Sequence, residues 1–201
     1  MRTFILSLGL ILSACSAGSK EVQNDPVVVL ETTAGPIEIE VYPEAAPISS
    51  ADFLRYVDDG LYNDQGFYRT VRADNDPRGM GMSLIQGGRL DQVNVGGQIE
   101  HELTTQTGIS NANGAVSIAR NEPGSGSAAY FFINIGNNDF LDTGGTRNPD
   151  GQGYATFARV TDGMEVVRAI QSGDVIAASD NAAMQGQILA KPVIITRAYR
   201  K

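Results

Sequence analysis

Val27-Val28-Val29-Leu30-Glu31-Thr32-Thr33-Ala34-Gly35-Pro36-Ile37-Glu38-Ile39-Glu40-Val41-Tyr42 is the stretch on which the fold turns. Its second half sets Ile37, Ile39 and Val41 against Glu38 and Glu40, the period of two that a strand with one buried and one wet face requires. Thr33 to Pro36 separates the two apolar runs with turn-forming residues, so the pair reads as an antiparallel hairpin. Downstream, Pro47 opens a helix to about Asp59, because Ser50, Phe53, Leu54, Val57 and Leu61 share one face and Gly60 supplies a stop. Strand-like runs follow at Gly66 to Val71, Ser83 to Gln86, Ala115 to Ala119, Tyr130 to Ile135, Tyr154 to Val160 and Val193 to Tyr199. A second helix is expected from Met164 to about Gln171, with Asp162 as N-cap and Glu165 in the capping-box position. Many short strands, Gly-, Asn- and Asp-rich links and only two helices favour a mostly β fold. The expectation is a closed eight-stranded antiparallel β-barrel capped by two α-helices, since closure removes unpaired edges.

The chain has 201 residues, 42% hydrophobic and 19% charged, enough for one well-buried core and too few for two comfortable domains. A formal charge of −8 argues against nucleic acid as a partner. Phe4 to Leu12 is an apolar run behind Arg2, too short to span a bilayer. Leu12-Ser13-Ala14-Cys15 looks like a bacterial lipobox, in which the chain is cut before a cysteine that is then acylated. The other reading is a secretory signal cut after Ala17, with Cys15 discarded. Cys15 is the only cysteine, which leaves no disulfide or multi-cysteine metal site. The expected organisation is a lipoprotein signal peptide at 1–14, a flexible tether at 15–26 and one domain at 27–200. That places the protein in a bacterial cell envelope, in the periplasm, held by lipid on Cys15. Ser16, which is not acidic, favours the outer over the inner membrane.

Five segments carry the chemistry: Gly66-Phe67-Tyr68-Arg69-Thr70-Val71, Leu84-Ile85-Gln86-Gly87-Gly88, Ala115-Val116-Ser117-Ile118-Ala119-Arg120, Tyr130-Phe131-Phe132-Ile133-Asn134 and Phe140-Leu141-Asp142. In this order they resemble the active-site signature of the cyclophilin-type peptidyl-prolyl cis-trans isomerases, and the resemblance extends over nearly all of Val27 to Tyr199. It implies a cyclophilin-like barrel and rotation of X-Pro bonds without a cofactor or metal. The expected clients are proline-containing unfolded or nascent envelope proteins, and the expected state is a monomer.

Residue by residue, the resemblance makes Arg69 the catalytic group and Gln86 the side chain that binds the substrate backbone. Leu84, Phe132, Phe140 and Leu141 would form the apolar pocket for the proline ring, and Ala119 would let the peptide lie close. Alternation allows only one of Phe131 and Phe132 to line that pocket, and family matching selects Phe132. Five positions depart from the pattern: Phe140 in place of a tryptophan, Ser83 in place of a phenylalanine, Tyr130 in place of a glutamine, Tyr154 in place of a histidine at the rim, and Arg120 in place of an asparagine. A methionine of the insertion Arg72 to Met82, Met80 or Met82, is expected to fill the wall missing at Ser83. Ser83 and Tyr130 also support a rival reading, a peptide-binding module or chaperone on the same fold with little or no turnover. His101 is the only histidine, with no partner residues for a metal site or triad, and reads as a loop residue. Gly124 to Ala129 superficially fits a dinucleotide fingerprint but precedes a strand instead of following one.

Overall fold

A computed structural model describes residues 25–176, 179 and 181–201. Cys15, the apolar run before it and the 15–24 part of the expected tether lie outside the described residues. The strands are β1 (Val27–Thr32), β2 (Gly35–Val41), β3 (Gln65–Val71), β4 (Leu84–Gly88), β5 (Ala115–Ile118), β6 (Tyr130–Asn134), β7 (Thr156–Asp162), β8 (Val175–Ile176) and β9 (Ile188–Arg200). They pair in the order β1-β2-β7-β5-β6-β4-β3-β9, every pair antiparallel, and β9 returns to β1 to close the ring. This is the expected eight-stranded barrel, with the two-residue β8 added outside it on β9.

The helices are α1 (Pro47–Asp58), α2 (Thr104–Thr107) and α3 (Met164–Gln171), with short 3-10 turns at Asp139–Leu141 and Ala182–Met184. The sequence led to α1 and α3; the single turn of α2 carries too little periodicity to be read. Pro47 stands at the start of α1, but Ala46 offers no capping side chain. The Glu102 carboxylate does the capping instead, accepting from Ile48 N at 3.0 Å and Ser49 N at 2.8 Å. At α3 the expected cap is displaced by one residue. Gly163 is the N-cap at φ +88°, and Asp162 accepts only from Gly163 N. A Cβ on Gly163 would lie 2.5 Å from the Pro36 carbonyl, so hairpin packing and positive φ together reserve that place for glycine.

Alternation fills the barrel from every strand. Val28 and Leu30, Ile37, Ile39 and Val41, Ile85, Val116, Phe131, Ile133, Phe157, Ile195 and Ala198 all turn inward. Phe131 is the centre of an aromatic cluster, edge-on to Phe53 of α1, to Tyr62 and to Phe67 at centroid distances of 5.7, 5.4 and 5.8 Å. Tyr62 is fully buried, donates its hydroxyl proton to the Ala128 carbonyl, and burial pushes its phenol well above the ordinary value.

Gly87 and Gly88 are strand residues at the end of β4. A Cβ on Gly88, at φ +124°, would stand 2.0 Å from the Ala129 carbonyl oxygen. Close approach of neighbouring backbone, and not a reversal of the chain, is what calls for glycine there.

Candidate active site

Adjacent strands bring the candidate residues into one row across the outside of the barrel. Arg69 of β3 is opposite Gln86 of β4, Gln86 is opposite Phe132 of β6, and Phe132 is opposite Ser117 of β5. A β-bulge between Phe67 and Arg69 makes this possible, shifting register against both β4 and β9. Without it Phe67 and Arg69, two apart, would share a face. With it Phe67 is buried in the barrel interior while Arg69 emerges outside.

Three hydrogen bonds hold the Arg69 guanidinium. Nε and Nη2 donate to Gln187 Oε1 at 2.9 and 2.6 Å, and Nη1 donates to Gln86 Oε1 at 2.6 Å. Gln86 Nε2 in turn donates to the Tyr68 hydroxyl at 2.8 Å. Gln187 is wholly buried and its own Nε2 donates to the Asn75 carbonyl, so neither amide is free to turn away. Arg69 has no carboxylate within ion-pairing distance among the described residues. Burial lowers its pKa, the Tyr68 and Tyr154 phenols oppose that, and the charge of Arg147 adds to it. Burial also pushes the Tyr68 phenol up to about 12, keeping it a neutral donor and acceptor.

Beside this guanidinium lies an apolar cluster separate from the barrel interior. Val71, Met82, Leu84, Phe132 and Leu141 are its buried members, with Ala119, Phe140 and Tyr154 half-buried around them. Met82 is thus the methionine that stands where the wall was expected to be open, while Ser83 turns its hydroxyl toward Gln171 Nε2 at 2.7 Å. The insertion is folded around Asp76. Its Oδ2 accepts from Met80 N and Met82 N, and its Oδ1 from Arg78 N.

The far wall depends on the chain from Asn138 to Tyr154. Leu141 N donates to the Asn138 carbonyl and Tyr154 N to the Leu141 carbonyl, which sets Phe140, Leu141 and Tyr154 together. Tyr154 stands edge-on to Phe132 at 5.3 Å. Arg120 braces it: the guanidinium lies 5.3 Å from the Tyr154 ring centroid, bonds the Gly153 carbonyl, and forms a two-pronged pair with Asp150 at 2.9 Å on each arm. Its side chain is only 1% exposed. Below this wall, Asp142 accepts from Asn111 N and Nδ2 and from Ser110 Oγ, and Asn111 accepts from Ser117 Oγ under the row.

Arg69, Gln86, Leu84, Ala119, Phe132, Phe140, Leu141 and Tyr154 therefore come together, and Arg120 acts on the pocket through Tyr154. Ser83 and Tyr130 do not present their side chains to it: Tyr130 packs against the barrel's inner cluster at the end of β6. Gln187 and Asn111 were not recognised in the sequence, where each is one polar residue in a loop or strand edge with no patterned neighbours. His101 Nε2 contacts the Gln152 carbonyl at 3.1 Å, and burial lowers its pKa.

Comparison with known proteins agrees with this architecture. The family described as cyclophilin type peptidyl-prolyl cis-trans isomerase matches residues 27–199. Peptidyl-prolyl cis-trans isomerase B of Escherichia coli is 31% identical over 173 residues, covering 84% of this chain and 96% of that one. Peptidyl-prolyl cis-trans isomerase A of Dickeya dadantii is 30% identical over 175 residues, 85% of this chain and 82% of that one. A crystal structure of a Cryptosporidium parvum cyclophilin type isomerase superposes with a TM-score of 0.64 at 18% identity, over 88% of this chain and 98% of the other.

Proposed function

The chain belongs to the cyclophilin-type peptidyl-prolyl cis-trans isomerases, and from that membership we propose that Arg69 is the group that lowers the rotation barrier in proline-containing envelope proteins. The activity is peptidyl-prolyl cis-trans isomerisation and the substrates are proline-containing peptides. Rotation about an X-Pro bond has to break amide resonance against a barrier of ~18–20 kcal/mol, and no covalent bond is cleaved. Neither nucleophile nor proton shuttle is needed. As the amide twists, the prolyl nitrogen leaves conjugation and its lone pair becomes a better acceptor than in either planar state. A fixed donor aimed at that nitrogen binds the transition state in preference to the ground states.

The observation that carries this reading is the way Arg69 is held. Gln86 and Gln187 take three of its N–H groups through neutral amide oxygens, which fix the guanidinium without neutralising it. The remaining two of the five donors a guanidinium carries stay available beside the pocket. The cluster of Met82, Leu84, Phe132 and Leu141 is then the seat of the proline ring, with Phe140 and Tyr154 at its edge. Gln86 and the narrow floor at Ala119 receive the peptide backbone.

Placement in the envelope rests on Leu12-Ser13-Ala14-Cys15 and its similarity to a lipobox, with acylation of Cys15 tethering the domain to a membrane. The decisive experiment is X-Pro isomerisation by the 25–201 domain and its Arg69→Ala variant. We expect a loss in kcat/KM of about 10²-fold or more, as for removal of a transition-state donor. An Arg69→Ala variant as active as the parent overturns the mechanism. In the full chain, loss of fatty-acid labelling on Cys15→Ser tests the anchor.

A further inference from the structure

Two loops border the pocket, 72–82 before β4 and 142–153 before Tyr154, and their charges are unevenly matched. Every acid in them is already engaged. Asp74 pairs with Arg72 and Asp150 with Arg120; Asp76 bonds three backbone N–H groups, and Asp142 is held by Ser110 and Asn111. Two arginines of the same loops have no acidic partner among the described residues. Arg78 uses Nη1 on the Arg147 carbonyl, which ties one loop to the other. Arg147 makes no side-chain hydrogen bond there, and its buried Nε has no acceptor. The next residue repeats the pattern: Asn148 Nδ2 is buried and unpartnered, while Asn148 Oδ1 receives the Tyr154 hydroxyl at 3.4 Å.

Arg147 is bonded into the pocket's own framework, since its backbone N donates to the Phe140 carbonyl at 3.2 Å. Its charge is felt at Arg69 and at Asp76. The pocket rim therefore holds two guanidiniums, Arg69 and Arg147, with no carboxylate within ion-pairing distance among the described residues, on a molecule whose overall formal charge is −8. Buried donors without acceptors and cations without anions are costly in isolation. The Arg147 Nη groups are not among those buried atoms, and a ligand that brings an anionic acceptor supplies their counter-ion.

We propose that Arg147, through its Nη groups, selects peptides carrying a carboxylate side chain next to the isomerised proline. Arg147 is thus a specificity residue for the reaction that Arg69 performs, and the inference rests on Arg69 and its pocket being the isomerisation site. The positive rim within an acidic surface also favours capture of acidic segments over basic ones through the encounter rate.

The test is exchange NMR on two peptide sets, Ala-Xaa-Pro-Phe and Ala-Ala-Pro-Xaa, with Xaa as Glu, Gln or Lys, for the 25–201 domain and its Arg147→Gln and Arg147→Lys variants. In at least one set the parent should turn over the Glu peptide about fivefold better than the Lys peptide, the scale of one partly exposed ion pair. The ratio should shrink with added salt, vanish in Arg147→Gln and persist in Arg147→Lys. Equal rates for Glu and Lys peptides in both sets, or a ratio unmoved by Arg147→Gln, overturn the selection. Turnover of the Gln peptides by the parent is read separately, so isomerisation can stand while the selection falls. Titration of the same peptides by chemical shift makes the comparison without turnover, and equal affinities there overturn it too.

Discussion

A guanidinium can act as a directed donor only if its plane is fixed, and Arg69 shows how two amides achieve this. Gln187 Oε1 receives two N–H groups on one edge and Gln86 Oε1 receives a third on the other. Replacing Gln187 by Leu keeps the volume approximately but leaves that edge unpaired. A hydrogen bond to a charged group is worth about 1.5–3 kcal/mol, so kcat should fall about tenfold or more. KM should change little, because Gln187 is wholly buried and is not a member of the apolar cluster proposed to seat the proline ring. A kcat equal to the parent's would show that Gln86 alone orients the arginine. Arg69 and Gln86 were singled out because the segments that hold them resemble the family's signature. Gln187 was not: it comes 118 residues after Arg69, and only the β3–β9 pairing brings the two together.

Among the elements, the strands were read most faithfully, because alternation against a closed barrel leaves little freedom in register. The ends moved: β4 and β9 run further than expected, and β7 starts at Thr156, two residues beyond Tyr154. The hidden parts are those organised by long-range bonds, such as Glu102 capping α1 and Asp76 folding the insertion. Asp76 also gives a pH signature. Burial would raise its carboxyl pKa, but the backbone N–H groups of Met82, Arg78 and Met80, helped by the charge of Arg147, outweigh burial and hold it below the ordinary 3.8. A group depressed in the folded state contributes stability above its unfolded pKa and loses it as pH falls through the folded value. The urea midpoint of the parent should thus exceed that of Asp76→Asn at neutral pH, and the two should converge below about pH 3.8. Asp76→Asn should also raise KM for peptide at neutral pH, since Met82 N loses an anionic anchor and Met82 is pocket wall. Parallel midpoints across the whole range would show that Asp76 does not organise the loop through its charge.

At the scale of the whole molecule, the site lies on the outside of a closed barrel and needs no opening of the fold to receive a chain. Its row of residues is defined by pairings through β3, β4, β6 and β5, which are themselves part of the ring that β1 and β9 close. The site should therefore persist for as long as the barrel does and disappear with it. Gly88 tests this coupling at one atom. Its φ of +124° is hostile to a side chain, and an added Cβ would meet the Ala129 carbonyl at 2.0 Å, so β4 and β6 would have to part. Gly88→Ala should cost about 3 kcal/mol or more, far beyond an ordinary glycine replacement. Gly79 offers the control, because its φ is also positive but nothing lies within 4 Å of an added Cβ. Gly79→Ala should therefore show the backbone strain without the clash and cost clearly less. With no tryptophan in the chain, tyrosine emission and far-ultraviolet circular dichroism can follow unfolding beside peptide binding. In the parent, the three curves should coincide in one transition, as a two-state domain requires. Binding lost well before the backbone signal would mean that the row of Arg69, Gln86 and Phe132 is held by its loops and not by the closed sheet.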